Sequence, residues 1–385
     1  MWKHVAANGL SLLIVALLAV GGVVAWGKRA YEQPGPLAEA ICLRVEPGSN
    51  MRRVSEELAA RGAVDTPQIM RLGATYTERS DDLKAGSFLI REGASMADIV
   101  GEITAEGQST CGTEVVYRIG VTESEIRVRE LDPATGRFDI VAEFDPAAEA
   151  EAPEAYTEVA DRNDTRFRIA MAEGVTSWQV VEALKAADFL SGEVAGVPPE
   201  GMLAPDSYEV RPGAIREDLL ALMQERQGDR LSTAWENRAE GLPYDTPAEA
   251  LTMASIVEKE TGVPEERGQV ASVFVNRLRE GMRLQTDPTV IYGITNGEGV
   301  LGRGLRRSEL DAATPYNTYQ IDGLPPTPIA NPGLASIEAA LNPDETDLLY
   351  FVADGTGGHA FGRTLAEHNE NVARWRAIEA ERQSN

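Results

Sequence analysis

The sequence predicts an α+β protein built as an N-terminal single-pass transmembrane helix, a small α+β unit, a β-rich insertion and a larger mixed α+β domain. Three observations carry that prediction. Residues 9–27, GLSLLIVALLAVGGVVAWG, form an uncharged apolar run. Residues 113–164 contain segments that alternate apolar and polar side chains, the period of strands, whereas the segments on either side carry the 3.6-residue period of helices. The chain has 385 residues, too many for one ordinary domain, and a hydrophobic content of 43% suffices for packed cores. The parts read as a short cytoplasmic tail (1–8), the anchor (9–27), a linker (28–39), the small unit (40–112), the acidic insertion (113–164) and the final domain (165–385).

At about 1.5 Å per residue, the apolar run just spans a hydrocarbon core of about 30 Å. Trp2 and Trp26 flank it where interface anchors sit, with Lys3 and His4 before it and Lys28 and Arg29 after it. A very short leading tail and a large following mass fit an uncleaved signal anchor with the C-terminal bulk outside. A cleaved signal peptide is the rival, but the run is long for one and no A-x-A cleavage site follows.

After a Pro/Gly linker, ICLRVEPG reads as strand and turn, Ser49 to Arg61 as a helix closed by Gly62, and Thr66 to Thr75 as a second helix with Pro67 at its start. AGSFLIREG gives a strand and turn, and Ser95 caps a helix through Ile103. This strand–helix–helix–strand unit with a trailing helix resembles a LysM-like glycan-binding module; a packing unit without ligand contacts fits the same pattern. Next, EVVYRIGV, EIRVREL and RFDIVAEF alternate as strands, with DPATG as a hairpin turn. EFDPAAEAEAPEAYTEVADRND reads as a solvated or disordered loop.

From Thr165, RFRIAMAEG reads as a strand, Val175 to Ala187 as a helix, GMLAPDSYEV as loop and strand, and Ile215 to Glu236 as a long helix. TPYNTYQIDGLPPTPIANPG is a loop long enough to carry function. GLASIEAAL is a helix, DLLYFVAD a buried strand, GTGGHAF a hairpin turn, and the chain closes on a helix with His368 and Trp375.

The net charge of -25 argues against nucleic acid, which needs a basic face. The three histidines are His4, His359 and His368, and neither an HExxH helix nor a CxxC pair is present, so the spacing calls for no metal and no cofactor. If the first unit is exported, Cys42 and Cys111 are expected to form one disulfide. The alternative is two buried thiols.

The stretch Leu251 to Asp287 organises the final domain. It reads as helix, short break, helix and extended segment. On a helical projection Met253, Ile256, Val257 and Glu260 share one side, Thr252 and Lys259 face away, and Glu258 lies near the Leu251/Ala254 edge. A carboxyl among apolar neighbours keeps its proton to higher pH. By this pattern alone, an ion-paired residue on an amphipathic helix is the simpler reading.

The surrounding motifs change the balance. ASIVEKETGVPEERGQVASVFVNRLREGMRLQTDPTVIYGI, GLPYDTP, PDSYEV, TPYNTYQIDGLPPTPIANPG and LYFVADGTGGHAFGRTLAEHN resemble the signature of the YceG-like family, membrane-anchored endolytic murein transglycosylases. The specific match covers about Leu242 to Asn369; the 113–164 insertion departs from the compact family pattern. The resemblance implies a cytoplasmic-membrane protein with its bulk on the periplasmic or extracytoplasmic side. It implies cleavage of the β-1,4 MurNAc–GlcNAc bond of peptidoglycan without water, leaving 1,6-anhydro ends. Peptidoglycan synthases and the elongation machinery are the partners it implies. The catalytic glutamate of the family's EKE motif falls on Glu260, acting first as acid and then as base.

Around it, Gln285, Thr286 and Asp287 are expected to line a sugar groove, with a turn role open for Asp287. Tyr316 and Asn317 offer stacking and hydrogen bonds to sugar, with loop anchoring the rival. Glu258 is expected to pair with Arg277 or Arg283 as structural support, Lys259 to be exposed, and His359 to be structural. Two other functions stay open: a non-catalytic peptidoglycan-binding scaffold, and a water-using muramidase that pairs Glu260 with Asp287.

Overall fold

The computed structural model describes the chain except Met1, Gln108, Ala150 and Asn385; of residues 2–11, 383 and 384 it describes the backbone only. The expected tail, with Trp2, Lys3 and His4, and anchor residues 9–11 thus have side chains outside the described residues. By backbone packing the chain divides into two units. One comprises Met1–Val115, Arg127–Glu143 and Ala152–Phe167; the other comprises Val116–Ile126, Phe144–Glu151 and Arg168–Asn385.

The first unit begins with helix α1 (Trp2–Glu32), followed by β1 (Ile41–Val45), α2 (Met51–Ala60), α3 (Pro67–Tyr76), β2 (Gly86–Ile90) and α4 (Met96–Thr104). Within α1, Leu12–Glu32 is long and apolar enough to cross a membrane, and none of its apolar window is buried. The strand and helix order of residues 41–104 is the one read from the sequence. β1 and β2 pair antiparallel, Leu43 opposite Phe88, and Leu43, Leu58, Met70, Phe88, Ile90 and Ile99 fill the core beneath. Asn50 and Ser95 cap α2 and α4 through their side chains, Ser95 in a capping box with Asp98. The Cys42–Cys111 disulfide is formed, with Cα atoms 5.6 Å apart.

Next come β3 (Thr113–Ile119), β4 (Ser124–Asp132), β5 (Arg137–Phe144), α5 (Glu154–Ala160), β6 (Arg166–Met171), α6 (Ser177–Ala186), β7 (Leu190–Ser191), β8 (Ser207–Val210) and β9 (Ala214–Ile215). The expected strands form, but not as a separate insertion: a five-stranded sheet runs in the order β5-β4-β3-β6-β8. Period-two patterning identifies strands without naming their neighbours, so the boundary drawn at residue 164 falls inside one sheet. The acidic run is not all loop either. Tyr156 and Val159 are buried on α5, which gives that short helix an apolar anchor.

The second unit continues with α7 (Arg216–Glu236), α8 (Pro247–Glu260), a 3-10 turn (Pro264–Glu266), α9 (Arg267–Arg279), α10 (Asp287–Thr295), α11 (Arg307–Asp311), α12 (Leu334–Leu341), β10 (Tyr350–Ala353), β11 (His359–Gly362) and α13 (Leu365–Ser384). β10 and β11 form the expected hairpin. β10 is half-buried rather than buried, because among the described residues its only sheet neighbour is β11.

Helix α8 is the centre of this unit. Thr246 caps it in a capping box with Glu249, and Pro247 occupies the first turn, where its missing N–H costs nothing. It packs against α7, α9, α10 and α12. Every residue from Ala250 to Val257 is buried, so the amphipathic reading fails: Thr252, expected to face outward, is enclosed. Its hydroxyl donates to Ala248 O at 3.0 Å; Ser255 donates to Thr252 O at 2.7 Å and accepts from Ile329 N at 3.0 Å. With their hydrogen bonds made locally, these polar residues enter the core at little cost. Leu251, Met253, Ile256 and Val257 are each essentially excluded from water, a burial worth about 1.5–3 kcal/mol per side chain.

Candidate active site

Glu260 is the last helical residue of α8, and the backbone turns extended at Thr261. A carboxylate there faces the negative end of the helix dipole. Burial raises its pKa most strongly and the nearby Asp287 charge raises it further, while a hydrogen bond from Thr286 and the charges of His359 and Arg277 act the other way; the net direction is upward. The residue as a whole is half-buried, so its surroundings are dense while part of it reaches solvent.

Thr286 is buried, and its Oγ1 donates to Glu260 Oε1. A small threonine cluster fixes it. Thr286 N donates to Thr318 Oγ1 at 3.0 Å, Thr289 Oγ1 donates to Thr286 O at 2.8 Å, and the hydroxyls of Thr289 and Thr318 lie 2.9 Å apart. Thr286 is therefore turned to the carboxyl, not to a groove. Gln285 is exposed and has φ 51°, a left-handed conformation uncommon for a residue with a Cβ. Its N–H donates to Thr318 O at 3.2 Å.

Asp287 does not continue an extended segment. It opens α10, where its charge suits the helix N-terminus, and stays exposed. Tyr319 donates its hydroxyl proton to Asp287 Oδ1 at 2.7 Å. Arg277 is buried and donates to Leu349 O at 2.7 Å and to Leu284 O at 2.6 Å, with its guanidinium 5.5 Å from the centre of the Tyr350 ring.

The expected Glu258–Arg277 pair is not made. Both residues support the structure, but separately: Glu258 Oε2 accepts from Gly333 N at 3.0 Å, and Arg283 pairs with Asp322 at 3.0 Å. Buried carbonyls at the ends of neighbouring segments compete for Arg277, and sequence spacing does not show them. Lys259 is not exposed but half-buried, reaching Gly174 O at 3.3 Å, and burial lowers its pKa.

Asn317 is fully buried and already occupied. Its Nδ2 donates to Glu309 O, Leu310 O and Ala312 O, and its Oδ1 accepts from Tyr319 N. It is a loop anchor, which corrects its reading as a sugar contact. Tyr316 is half-buried, stacks at a tilt on Tyr292 with ring centres 5.1 Å apart, and its hydroxyl lies 2.7 Å from Thr327 Oγ1. His359 is held by Glu266, which accepts from the His359 N–H at 2.8 Å and lies 2.7 Å from Nδ1.

Sequence reasoning missed Thr318 and Tyr319, although both stand in the PYNTYQ stretch. It also missed Glu200, whose pKa is raised by burial. Ser177 N donates to Glu200 at 2.8 Å, Asn331 Nδ2 at 3.3 Å and the Tyr292 hydroxyl at 3.2 Å. Nothing in its local sequence marks it.

A family model described as the YceG-like family matches residues 43–374. The chain belongs to the YceG-like family. An endolytic murein transglycosylase of Bacillus subtilis (strain 168) is 42% identical over 175 residues, 45% of this chain and 47% of that protein. An endolytic murein transglycosylase of Streptococcus pneumoniae serotype 2 is 29% identical over 384 residues, 96% of this chain and 65% of that protein. This YceG-like chain thus spans about half to two thirds of the length of these relatives. A crystal structure of a YceG-like protein from Listeria monocytogenes aligns with 86% of this chain and 98% of its own, at 24% identity and a TM-score of 0.45.

Proposed function

We propose that the protein is a membrane-anchored endolytic lytic transglycosylase of peptidoglycan, with Glu260 as its single acid/base. The observation that carries this reading is the Glu260 carboxyl, poised to hold a proton at the end of α8 in a YceG-like chain whose relatives are named endolytic murein transglycosylases.

In the proposed reaction, protonated Glu260 gives its proton to the glycosidic oxygen as the bond from MurNAc C1 breaks. The carboxylate left behind takes the proton of the C6 hydroxyl of the same sugar. That oxygen closes onto C1 and leaves a 1,6-anhydro end. Proton and bond changes balance without water, and an intramolecular nucleophile gains from proximity. Thr286 holds the carboxyl in place, and its hydrogen bond strengthens as negative charge appears. Gln285, Asp287 and Tyr316 offer groups to the glycan.

The reading extends to the cell. Residues 9–27 anchor the chain in the cytoplasmic membrane with its bulk outside, and the disulfide between Cys42 and Cys111 supports an oxidising compartment. Residues 40–112 act as a LysM-like glycan-binding unit, and residues 165–385 carry the catalytic site. Cleavage ends the growth of new strands beside the peptidoglycan synthases of the elongation machinery. The experiment is to incubate wild-type and Glu260→Gln protein with uncrosslinked glycan strands. Wild type shortens them and the variant, with unchanged circular dichroism, does not; cutting by the variant at the wild-type rate sinks the assignment.

A further inference from the structure

The first unit carries an apolar surface that the chemistry above does not use. Outside α1, the two most exposed large hydrophobic side chains among the described residues are Tyr76, 89% exposed, and Leu72, 70% exposed. They stand four residues apart on α3, and so share a face.

The position of that face follows from α1. The apolar run ends at Gly27, and a rise of about 1.5 Å per residue carries Tyr31 about 6 Å beyond it. The headgroup layer on each side of the hydrocarbon is about 5–8 Å deep. Tyr31 is buried against α3: a side chain on Gly73 would collide with its ring, so only glycine allows the two helices to approach this closely. Trp26 and Ala30 share a small cleft with Thr66 and Ile69 at the start of α3. Helix α3 thus lies beside the stretch of α1 that runs from the end of the hydrocarbon through the headgroups.

At 100° per residue, Met70 and Ala74 define the core side of α3, and Ile69 and Gly73 the side that meets α1. Leu72 and Tyr76 come next around the helix, adjoining the α1 side and away from the core. Tyrosine suits an interface where one end of a side chain is wet and the other apolar, and leucine adds apolar area beside it. Lys28 and Arg29, both exposed on α1, supply cations at the depth of lipid phosphates.

We propose that Leu72 and Tyr76 form a membrane-docking face, which seats the first unit against the headgroup layer of the bilayer that α1 crosses. The proposal rests on the reading of α1 as a membrane span. A unit docked in this way does not swing freely on the linker, so its distance from the membrane is fixed.

The two native cysteines are joined to each other, so a third cysteine provides a single labelling site. Leu72→Cys, Tyr76→Cys and Val20→Cys are labelled with an environment-sensitive fluorophore. The full chain is then reconstituted in phosphatidylethanolamine/phosphatidylglycerol vesicles with and without spin-labelled lipid. The expected result is loss of fluorescence to the lipid quencher at positions 20, 72 and 76. Quenching at 20 but not at 72 and 76 overturns the docking face while leaving the span intact. No quenching at 20 removes the span and the proposal with it. Self-quenching at 72 and 76 that marks a second copy of the chain on this face also overturns it.

Discussion

Thr286 hydrogen-bonds the Glu260 carboxyl across a separation of 26 residues, joining the end of α8 to the start of α10. It donates to an acceptor that is weak when protonated and strong when charged. The bond therefore favours the carboxylate and opposes the upward shift that burial imposes.

Thr286→Val removes that donor and keeps the shape. The Glu260 pKa should rise further, so the alkaline limb of the pH–activity profile moves to higher pH. The rate at the optimum should fall by about tenfold, the worth of one hydrogen bond of about 1.4 kcal/mol. Kinetics across pH on glycan strands measure both; an unchanged limb means that Thr286 does not tune Glu260.

The same carboxyl makes a stability prediction. Its folded pKa lies above the unfolded value, so between the two the native state binds more protons, and stability falls as pH rises through that window. Once pH exceeds the folded pKa, the full cost of a buried charge is present. Glu260→Gln cannot ionise. It should be more stable than wild type at neutral pH, and the difference should shrink towards the unfolded glutamate pKa of about 4.3. Urea titrations at several pH values read this directly, and a constant difference contradicts it.

Arg277 acts as a clamp on two carbonyls, Leu284 O and Leu349 O, as well as a cation near Glu260. Arg277→Met leaves both carbonyls without that donor, at about 1–3 kcal/mol each. The thermal midpoint should drop, and the Glu260 pKa should rise. Arg277→Lys restores the charge but not the two-pronged geometry, so it should recover the pH profile more than the stability. Equal behaviour of the two variants would argue against the clamp.

The disulfide closes a loop with a sequence separation of 69. The chain-entropy relation gives about 4 kcal/mol for a loop of that length. Cys42→Ala/Cys111→Ala should lower the unfolding free energy of the first unit by that order, as measured by denaturant titration. Non-reducing peptide mapping of exported protein should recover the joined peptides, and free thiols there would refute the pairing.

The sequence made the elements legible where one segment holds its own signal. The cap at Ser95, Pro67 at the start of α3 and the alternation in β3 to β5 all act within a few residues. Glu260 stands out as the candidate acid/base only where the EKE motif is flanked by the neighbouring motifs. What failed was long-range. Thr252 reads as outward-facing because a helical projection does not show the helices packed around α8, and its hydroxyl is satisfied within its own helix by Ala248 O. For Asn317 the sequence leaves sugar contact and loop anchoring equally open, and the three carbonyls on its amide decide for the anchor. Glu200 draws its partners Ser177, Tyr292 and Asn331 from 23, 92 and 131 residues away. No local pattern encodes such a site.

The most direct measurement weighs the products of the full chain acting on uncrosslinked glycan strands. New ends should carry 1,6-anhydroMurNAc, with no water added, and Glu260→Gln should give no new ends. Reducing ends heavier by one water would contradict this and make the protein a muramidase.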